Sequence, residues 1–131
     1  KKCFYIDENG IIFKILEQIS ENDFIIKKLT EDKEVFIGER VIEKNTIDII
    51  SKIKKNFKNN FQIDIKSVTI STQSRLDVET SENWQIYFNL DSETDLQIAK
   101  MNILLKDEIT ASVRKTLQYI DLRFKDKAFY K

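Results

Sequence analysis

Few side chains of this 131-residue chain are suited to catalysis. Histidine is absent, so no imidazole is available as a general base, a triad member or a metal ligand. The single cysteine, Cys3, has no second cysteine with which to form an internal disulfide or a cysteine-rich metal site. No spacing typical of a P-loop, an EF-hand or a nucleophile elbow occurs. We therefore expect a protein that is not an enzyme and that uses no cofactor or metal.

Three alternating carboxylates, Asp91, Glu93 and Asp95, come closest to an acid–base pair or a divalent-cation site. They flank the start of a predicted helix, where acidic side chains stabilise the positive end of the helix dipole. A structural role is therefore the favoured interpretation.

The charges of the chain cancel, because 22 lysines and arginines balance 22 aspartates and glutamates. This neutrality argues against a domain that grips nucleic acid or an anionic membrane surface. A lysine cluster at 52–58 lies on the polar side of an amphipathic helix, which is typical of a solvated face. No apolar run approaches the roughly 20 residues that a membrane-spanning helix needs.

Residues 119–131 read as two short strands separated by a charged bend. The first strand alternates, with Ile120, Leu122 and Phe124 on one face and Asp121 and Arg123 on the other. We expect the two charged residues to form a structural network. A terminal strand of this kind is expected at a sheet edge, where unpaired N–H and C=O groups can accept a strand from another chain.

The end of the chain is more apolar than a solvated tail, because Ala128, Phe129 and Tyr130 follow one another. The neighbouring lysines allow a second interpretation, in which charge protects the edge from aggregation. The same lysines would also select an acidic partner segment.

Periodicity predicts the elements that position this edge. Cys3–Ile6 and residues 11–16 form a predicted hairpin, with Asn9-Gly10 supplying the positive φ angles of its turn. Weaker strands are predicted at 24–29 and 34–37, and Gly38 is a predicted turn.

Two helices are predicted, at 42–59 and 94–109, each from an apolar stripe at helical spacing. Asn59-Asn60 is expected to stop the first, and Ser92 with Asp95 resembles a capping box for the second. A meander of strands at 61–65, 67–71, 75–80 and 84–89 lies between them, with Trp84 in the core. The fold class predicted is α+β, a mostly antiparallel sheet with the two main helices packed on one face.

Three separated segments resemble the β domain of the FtsQ/DivIB family of bacterial cell division proteins. Residues 4–13, FYIDENGIIF, resemble the family's YYVDENGIVF opening, and residues 76–88, LDVETSENWQIYF, resemble its L-x-V-x-T-x-E-G-W-x-I-x-F hairpin. Residues 119–124, YIDLRF, resemble a strand near the family's C-terminus. Two family glycines are replaced here, by Asn83 and Lys125, and asparagine is the better substitute in a left-handed turn.

The resemblance implies a non-catalytic scaffold of the division machinery. Members of the family have a short cytoplasmic tail, one membrane span, a POTRA domain and then this β domain outside the membrane. The whole protein is thus expected in the cell membrane at the division septum, with this part on the extracytoplasmic face. We expect residues 1–131 to be a single β domain excised from a longer chain.

The resemblance also implies partners, namely FtsB/DivIC-like and FtsL-like division proteins, which add a strand to the last sheet edge. Carried over by position, the partner-binding segment consists of Phe124, Lys125, Asp126, Lys127, Ala128, Phe129 and Tyr130. The same edge gives the isolated fragment a route to self-association.

A different class of function stays open, a cell-envelope module that binds a small ligand or glycan in a cleft between helix and sheet. A deep pocket lined by aromatic and polar side chains would favour it.

Overall fold

The computed structural model describes residues 3–28, 34–71 and 74–131. These residues form eight strands in two sheets, with two main helices and a short third one. The architecture is α+β and mostly antiparallel, as predicted. Across the described ranges, no helix is both long and apolar enough to cross a membrane.

The chain divides into two compact units. One comprises Lys1–Asp23 with Thr30–Ile53, and the other comprises Phe24–Leu29 with Lys54–Lys131. The second unit contains the C-terminal segment.

The first unit contains the predicted hairpin, in which β1 (Cys3–Ile6) pairs antiparallel with β2 (Ile12–Leu16). Cys3 is half-buried at the start of β1. The rings of Tyr5 and Phe13 stack on one side of the hairpin, with their centroids 6.0 Å apart.

The hairpin turn is fastened by Asp7. Its carboxylate accepts the backbone N–H groups of Asn9 and Ile11 at 2.8 and 3.0 Å. Gly10 has a φ of +77°, but the predicted positive φ at Asn9 is wrong. The Asp7 carboxylate closes the connection without it, so the turn needs one left-handed residue instead of two.

The strand predicted at 34–37 is wrong. This segment ends in a turn, in which the N–H of Glu39 donates to the carbonyl of Phe36 at 3.0 Å. Gly38 supplies the predicted turn residue, with a φ of +93°. Apolar side chains alone suggested the strand, but Phe36 and Ile37 are exposed. The chain pairs with the hairpin after the turn, where the Gly38 N–H donates to the Ile12 carbonyl at 2.8 Å and Arg40 bridges to Ile11.

The first helix, α1, spans Lys44–Phe61 and runs two residues beyond its predicted end. The residue that stops it is Gln62, with a φ of +54°, and not the predicted Asn59-Asn60 pair. The strand predicted at 61–65 is therefore wrong except at its last residue, because the helix and its stop use the rest of this segment.

The second unit is built on a six-stranded sheet in the order β3-β4-β5-β6-β7-β8. Its strands are β3 (Ile25–Lys28), β4 (Ile65–Ile70), β5 (Arg75–Thr80), β6 (Gln85–Asn89), β7 (Tyr119–Asp121) and β8 (Phe129–Tyr130). Most neighbouring strands of this sheet are antiparallel, but β3 pairs parallel with β4 and β6 pairs parallel with β7. A helix separates each parallel pair along the chain, and such a crossover is what parallel neighbours require.

Strand register aligns the core of this unit. Val68, Val78, Ile86 and Ile120 lie opposite one another across four strands, and all are buried. Trp84 is fully buried, as predicted, and meets the ring of Phe57 edge-on at 6.0 Å. The helix side of the sheet is therefore its hydrophobic face.

The second helix, α2, spans Thr94–Ile103 and continues into a π-helical turn at Leu104–Glu108. The predicted stripe is buried throughout: Ile98, Met101, Leu105 and Ile109. The predicted capping box is wrong, because the N-cap is Glu93 without a side-chain cap bond, and Ser92 lies one residue too early. A short helix that the sequence did not predict, α3 (Ala111–Arg114), begins where the Thr110 hydroxyl accepts the N–H of Val113.

Candidate functional site

The C-terminal strand, β8, is the outermost strand of the six-stranded sheet and pairs with β7. Tyr130 lies opposite Ile120, and Phe129 lies opposite Asp121. Lys131 extends the pairing, because its N–H donates to the carbonyl of Tyr119 at 3.1 Å and its carbonyl accepts the N–H of Tyr119 at 3.2 Å. The chain end is thus fastened to β7 along one side.

The hydrogen-bond alternation identifies the backbone groups that face outward. Tyr119 and Lys131 exchange both of their bonds, so they form a hydrogen-bonded pair of the antiparallel ladder. Ile120 and Tyr130, the next pair along, are then a pair without mutual hydrogen bonds. The N–H and C=O of Tyr130 consequently point away from β7, toward the open edge.

Between β7 and β8 the chain makes a bend that is held by Lys100 of α2. The ammonium of Lys100 donates to the carbonyl oxygens of Leu122 at 3.2 Å, of Lys127 at 3.3 Å and of Phe124. Burial lowers the pKa of Lys100, and the negative charges of Asp126 and Asp121 oppose that effect. The bend also forms without a positive φ at Lys125, where the family often has glycine.

Aromatic side chains crowd the edge. Phe124 meets Phe129 edge-on, with ring centroids 5.2 Å apart, and the Lys127 ammonium lies 5.4 Å from the Phe129 centroid. Phe124, Phe129 and Tyr130 are 43%, 45% and 42% exposed, so the edge presents a substantial apolar surface. The prediction that Phe124 continues the strand face of Ile120 and Leu122 is wrong, because β7 ends at Asp121 and Phe124 lies in the bend, exposed, while the other two are buried.

Asp121 and Arg123 form the predicted network, with Arg123 Nη2 2.8 Å from Asp121 Oδ2. The same carboxylate accepts the backbone N–H of Arg123 at 3.1 Å. Burial acts to raise the pKa of Asp121, but the hydrogen bonds from Arg123 and the charges of Arg123 and Arg75 lower it below its ordinary value. The pair therefore stays ionised at neutral pH and stiffens the end of β7.

Tyr87 extends this polar side of the sheet, since its ring stacks on Tyr119 with centroids 5.4 Å apart. The Arg75 guanidinium lies 4.7 Å from the Tyr87 centroid and also pairs with Asp77 at 2.8 Å. Burial, followed by the charge of Asp77, raises the pKa of Tyr87.

A surface depression of about 480 Å³ lies on the same side of the sheet and reaches the bend at Phe124. Its lining consists of Ser74, Arg75, Asn89, Arg123 and Phe124. Both of its arginines already pair with carboxylates, Arg75 with Asp77 in β5 and Arg123 with Asp121 of β7. Its charge is therefore largely balanced within the sheet.

The other residues considered from the sequence lie apart from this edge. Asp91, Glu93 and Asp95 are exposed around the start of α2. Over the ranges that the structure describes, no group of three or more Asp, Glu, His or Cys residues is arranged to hold a metal ion. Within the lysine cluster, Lys54 lies 3.8 Å from the Phe24 ring centroid and Lys58 pairs with Asp64 at 3.0 Å.

Sequence reasoning missed Lys100. Its position between the buried Ile98 and Met101 puts a charge beside the apolar stripe of α2, and that neighbourhood is the available signal. The carbonyls that it binds lie 22 to 27 residues further along the chain, so the pattern could not name its partners.

Comparison with protein families finds a match to the model described as cell division protein FtsQ/DivIB, C-terminal. The match covers residues 1–123, which is most of the chain, and stops immediately before the 124–130 segment. A comparison with curated proteins found no match. By its match over residues 1–123, the chain belongs to the FtsQ/DivIB family and has a role in cell division.

Proposed function

We propose that this chain is a non-catalytic docking domain, to which FtsB/DivIC-like and FtsL-like division proteins bind by adding a β-strand at residues 124–130. The observation that carries the proposal is the outward-facing N–H and C=O of Tyr130 on the outermost strand β8. Strand addition uses such groups for affinity and alternate side chains for choice of partner.

The side chains around β8 suit a partner strand with apolar and acidic positions. Phe124 and Phe129 offer adjoining exposed rings, and aromatic anchors of this kind dominate binding energy at interfaces. Lys125, Lys127 and Lys131 surround them with positive charge, which favours an acidic segment and speeds its association. The lysines also serve to discourage pairing with neutral edges.

In the whole protein, we place this domain on the extracytoplasmic face of the cell membrane at the division septum, behind a membrane span and a POTRA domain. Family membership supports this arrangement. Residues 1–131 then act as one β domain, with its two compact units in the same scaffold.

Deletion of residues 127–131 is the first test. The probe is the extracytoplasmic segment of the FtsB/DivIC-like protein of the same organism, titrated by calorimetry. The deletion removes β8 and should abolish binding, while circular dichroism shows that the rest of the sheet is still folded. Undiminished affinity of the truncated chain would refute docking at this edge.

Tyr130→Pro tests the backbone mechanism more sharply. Because the Tyr130 N–H points outward, proline removes a donor offered to the partner while the bonds of Lys131 to β7 can persist. Tyr130→Ala is the matched control for the lost ring. We expect Tyr130→Pro to bind roughly fivefold to tenfold more weakly than Tyr130→Ala, the worth of about one net hydrogen bond. Equal affinity of the two variants would contradict strand addition at this position.

The alternative function is a cell-envelope module that binds a small ligand or glycan. The wild-type chain and the deletion of residues 127–131 also test this alternative. The depression lined in part by Arg75, Asn89 and Arg123 lies on the sheet surface, beside the bend. Titration with soluble peptidoglycan fragments is the direct comparison. Saturable binding of the fragments that survives deletion of residues 127–131 would favour the ligand module.

A further inference from the structure

We propose that Lys100 is a positioning residue for the docking edge: by binding three carbonyls of the bend, it sets where β8 lies against β7. This inference rests on the proposed docking function and adds a residue outside the 124–130 segment. Its consequence is that partner affinity depends on a side chain of α2 that the partner does not touch.

The geometry of the ammonium carries the inference. An ammonium has three donors, and the three acceptors here are the carbonyls of Leu122, Phe124 and Lys127. Leu122 precedes the bend and Lys127 follows its tip, so one cation joins the outgoing and returning parts of the chain. With its donors used by this chain, Lys100 has none left for a partner strand.

Because β8 is short, its position depends on hydrogen bonds from outside the bend as well as on its pairing with β7. Two register pairs, Ile120 with Tyr130 and Asp121 with Phe129, join it to β7, and Lys131 adds its bonds at the end. Holding a two-residue strand at a defined position costs backbone conformational entropy. Hydrogen bonds from a charged donor are among the stronger local means of offsetting that cost.

The helix α2, which carries Lys100, is itself anchored to the sheet by hydrogen bonds. Gln97 lies three residues before Lys100, on the same face of the helix. Its side-chain amide brackets Asn89 at the end of β6, accepting the N–H at 2.8 Å and donating to the carbonyl at 2.8 Å. Gln97 is buried, so α2 is fixed to β6 one turn away from the point where it holds the bend.

The test replaces Lys100 by methionine, which keeps the apolar stem and removes the ammonium. Hydrogen exchange of the Lys131 amide, which bonds to Tyr119, reports the attachment of β8. We expect this amide to exchange roughly tenfold faster in Lys100→Met and the FtsB/DivIC-like segment to bind roughly tenfold more weakly, the worth of hydrogen bonds to one charged group. The Thr80 amide, bonded to the Trp84 carbonyl within the sheet, should be unchanged.

Two further variants separate positioning from charge alone. Lys106→Met removes an exposed lysine from the π-helical turn and should leave both readouts at wild-type values. Lys100→Arg retains a charged multiple donor and should recover most of the loss. Should the methionine variant fail to fold, Lys100→Gln, with two neutral donors, should show an intermediate effect in the same measurements.

The two proposals fail in different ways. Wild-type exchange at Lys131 in Lys100→Met would overturn the positioning role, whatever the partner does. Weaker binding with unchanged exchange would also overturn it, because Lys100 would then act as a direct contact. If the wild-type chain does not bind the FtsB/DivIC-like segment, the docking function is rejected. The exchange of the Lys131 amide would still decide whether Lys100 holds the bend.

Discussion

Asp121 shows how one side chain supports both the sheet and its edge. It lies between Tyr87 of β6 and Phe129 of β8 in the strand register, and its side chain is 10% exposed. Its two oxygens accept three hydrogen bonds from Arg123, one from the backbone and two from the guanidinium. A buried carboxylate with this many donors is held in one orientation, which fixes the direction in which the chain leaves β7.

Replacing Asp121 by asparagine should reduce the free energy of unfolding by about 1–3 kcal/mol at pH 7, because charge-assisted bonds become neutral ones. The folded-state pKa of Asp121 lies below its ordinary value, so its contribution is complete above the unfolded pKa of about 4 and is lost as pH falls through the folded pKa. Urea unfolding at pH 7 and at about pH 3 measures the difference, which should shrink at the lower pH.

Asp107→Asn is the control for this comparison, since Asp107 is exposed in the π-helical turn. Its unfolding free energy should match that of the wild type at both values of pH. An Asp121→Asn deficit that is the same at both would mean that packing, and not the ionised pair, accounts for the loss.

At the scale of elements, the turn between β1 and β2 is bound to the segment that leads into α1. The N–H of Val41 donates to the Gly10 carbonyl at 2.9 Å, and Gly10 is buried. A Cβ on Gly10 would lie 1.9 Å from the carbonyl oxygen of Ile42, too close for the backbone to accept. Gly38 differs, because a Cβ there would meet nothing within 4 Å.

These two glycines make a matched pair of substitutions. Gly38→Ala should cost about 1–2 kcal/mol, the strain of a positive φ on a residue with a Cβ. Gly10→Ala adds a clash with backbone to the same strain and should cost at least about 2 kcal/mol more. Thermal and urea unfolding measure the free energy of unfolding of both variants. If the two variants lose the same free energy, the turn at Gly10 shifts to accommodate the added Cβ.

At the scale of the whole molecule, zero net charge leaves no overall repulsion between copies of the chain. The open edge at β8 is therefore opposed mainly by local charge, from Lys125, Lys127 and Lys131. Two copies that pair through this edge would bring those lysines together. Salt screens such contacts over roughly 10 Å at 0.1 M.

We expect the isolated chain to self-associate weakly through β8, and more strongly as salt is raised. Analytical ultracentrifugation across a concentration series should show a rising sedimentation coefficient that Tyr130→Pro brings back toward the monomer. A coefficient that stays constant up to millimolar protein in high salt would mean that the lysines, or the twist of the strand, already block this edge.

Local patterns predicted the elements well where each residue's environment followed from its neighbours. The stripe Ile98, Met101, Leu105 and Ile109 is buried as expected, and Trp84 is in the core. Asn83 takes a left-handed φ of +72°, the role inferred from its place in the turn. Hydrophobic periodicity and turn chemistry act over a few residues, so a single sequence carries them in full.

The predictions for residues 34–37 and for Phe124 were wrong because the backbone conformation there depends on hydrogen bonds that the apolar pattern does not show. The apolar Phe36 and Ile37 imitate a strand, but a strand exists only where a second one pairs with it. Phe124 continues the alternation of β7, yet Lys100 draws its carbonyl into the bend and the ring turns outward. The turn at Gly38 was a local signal against a strand at 34–37, whereas the partner that decides the place of Phe124 lies 24 residues away in the chain.

The sequence by itself determined the fold class, the buried stripe of the second helix and the family, since apolar periodicity and motif order are properties of the chain alone. The sequence predicted a strand at a sheet edge, but only the tertiary structure decided that Tyr130 directs its backbone groups outward and that Lys100 holds the bend. Strand order and register are set by contacts between segments many residues apart. Such contacts become defined only when the whole sheet assembles.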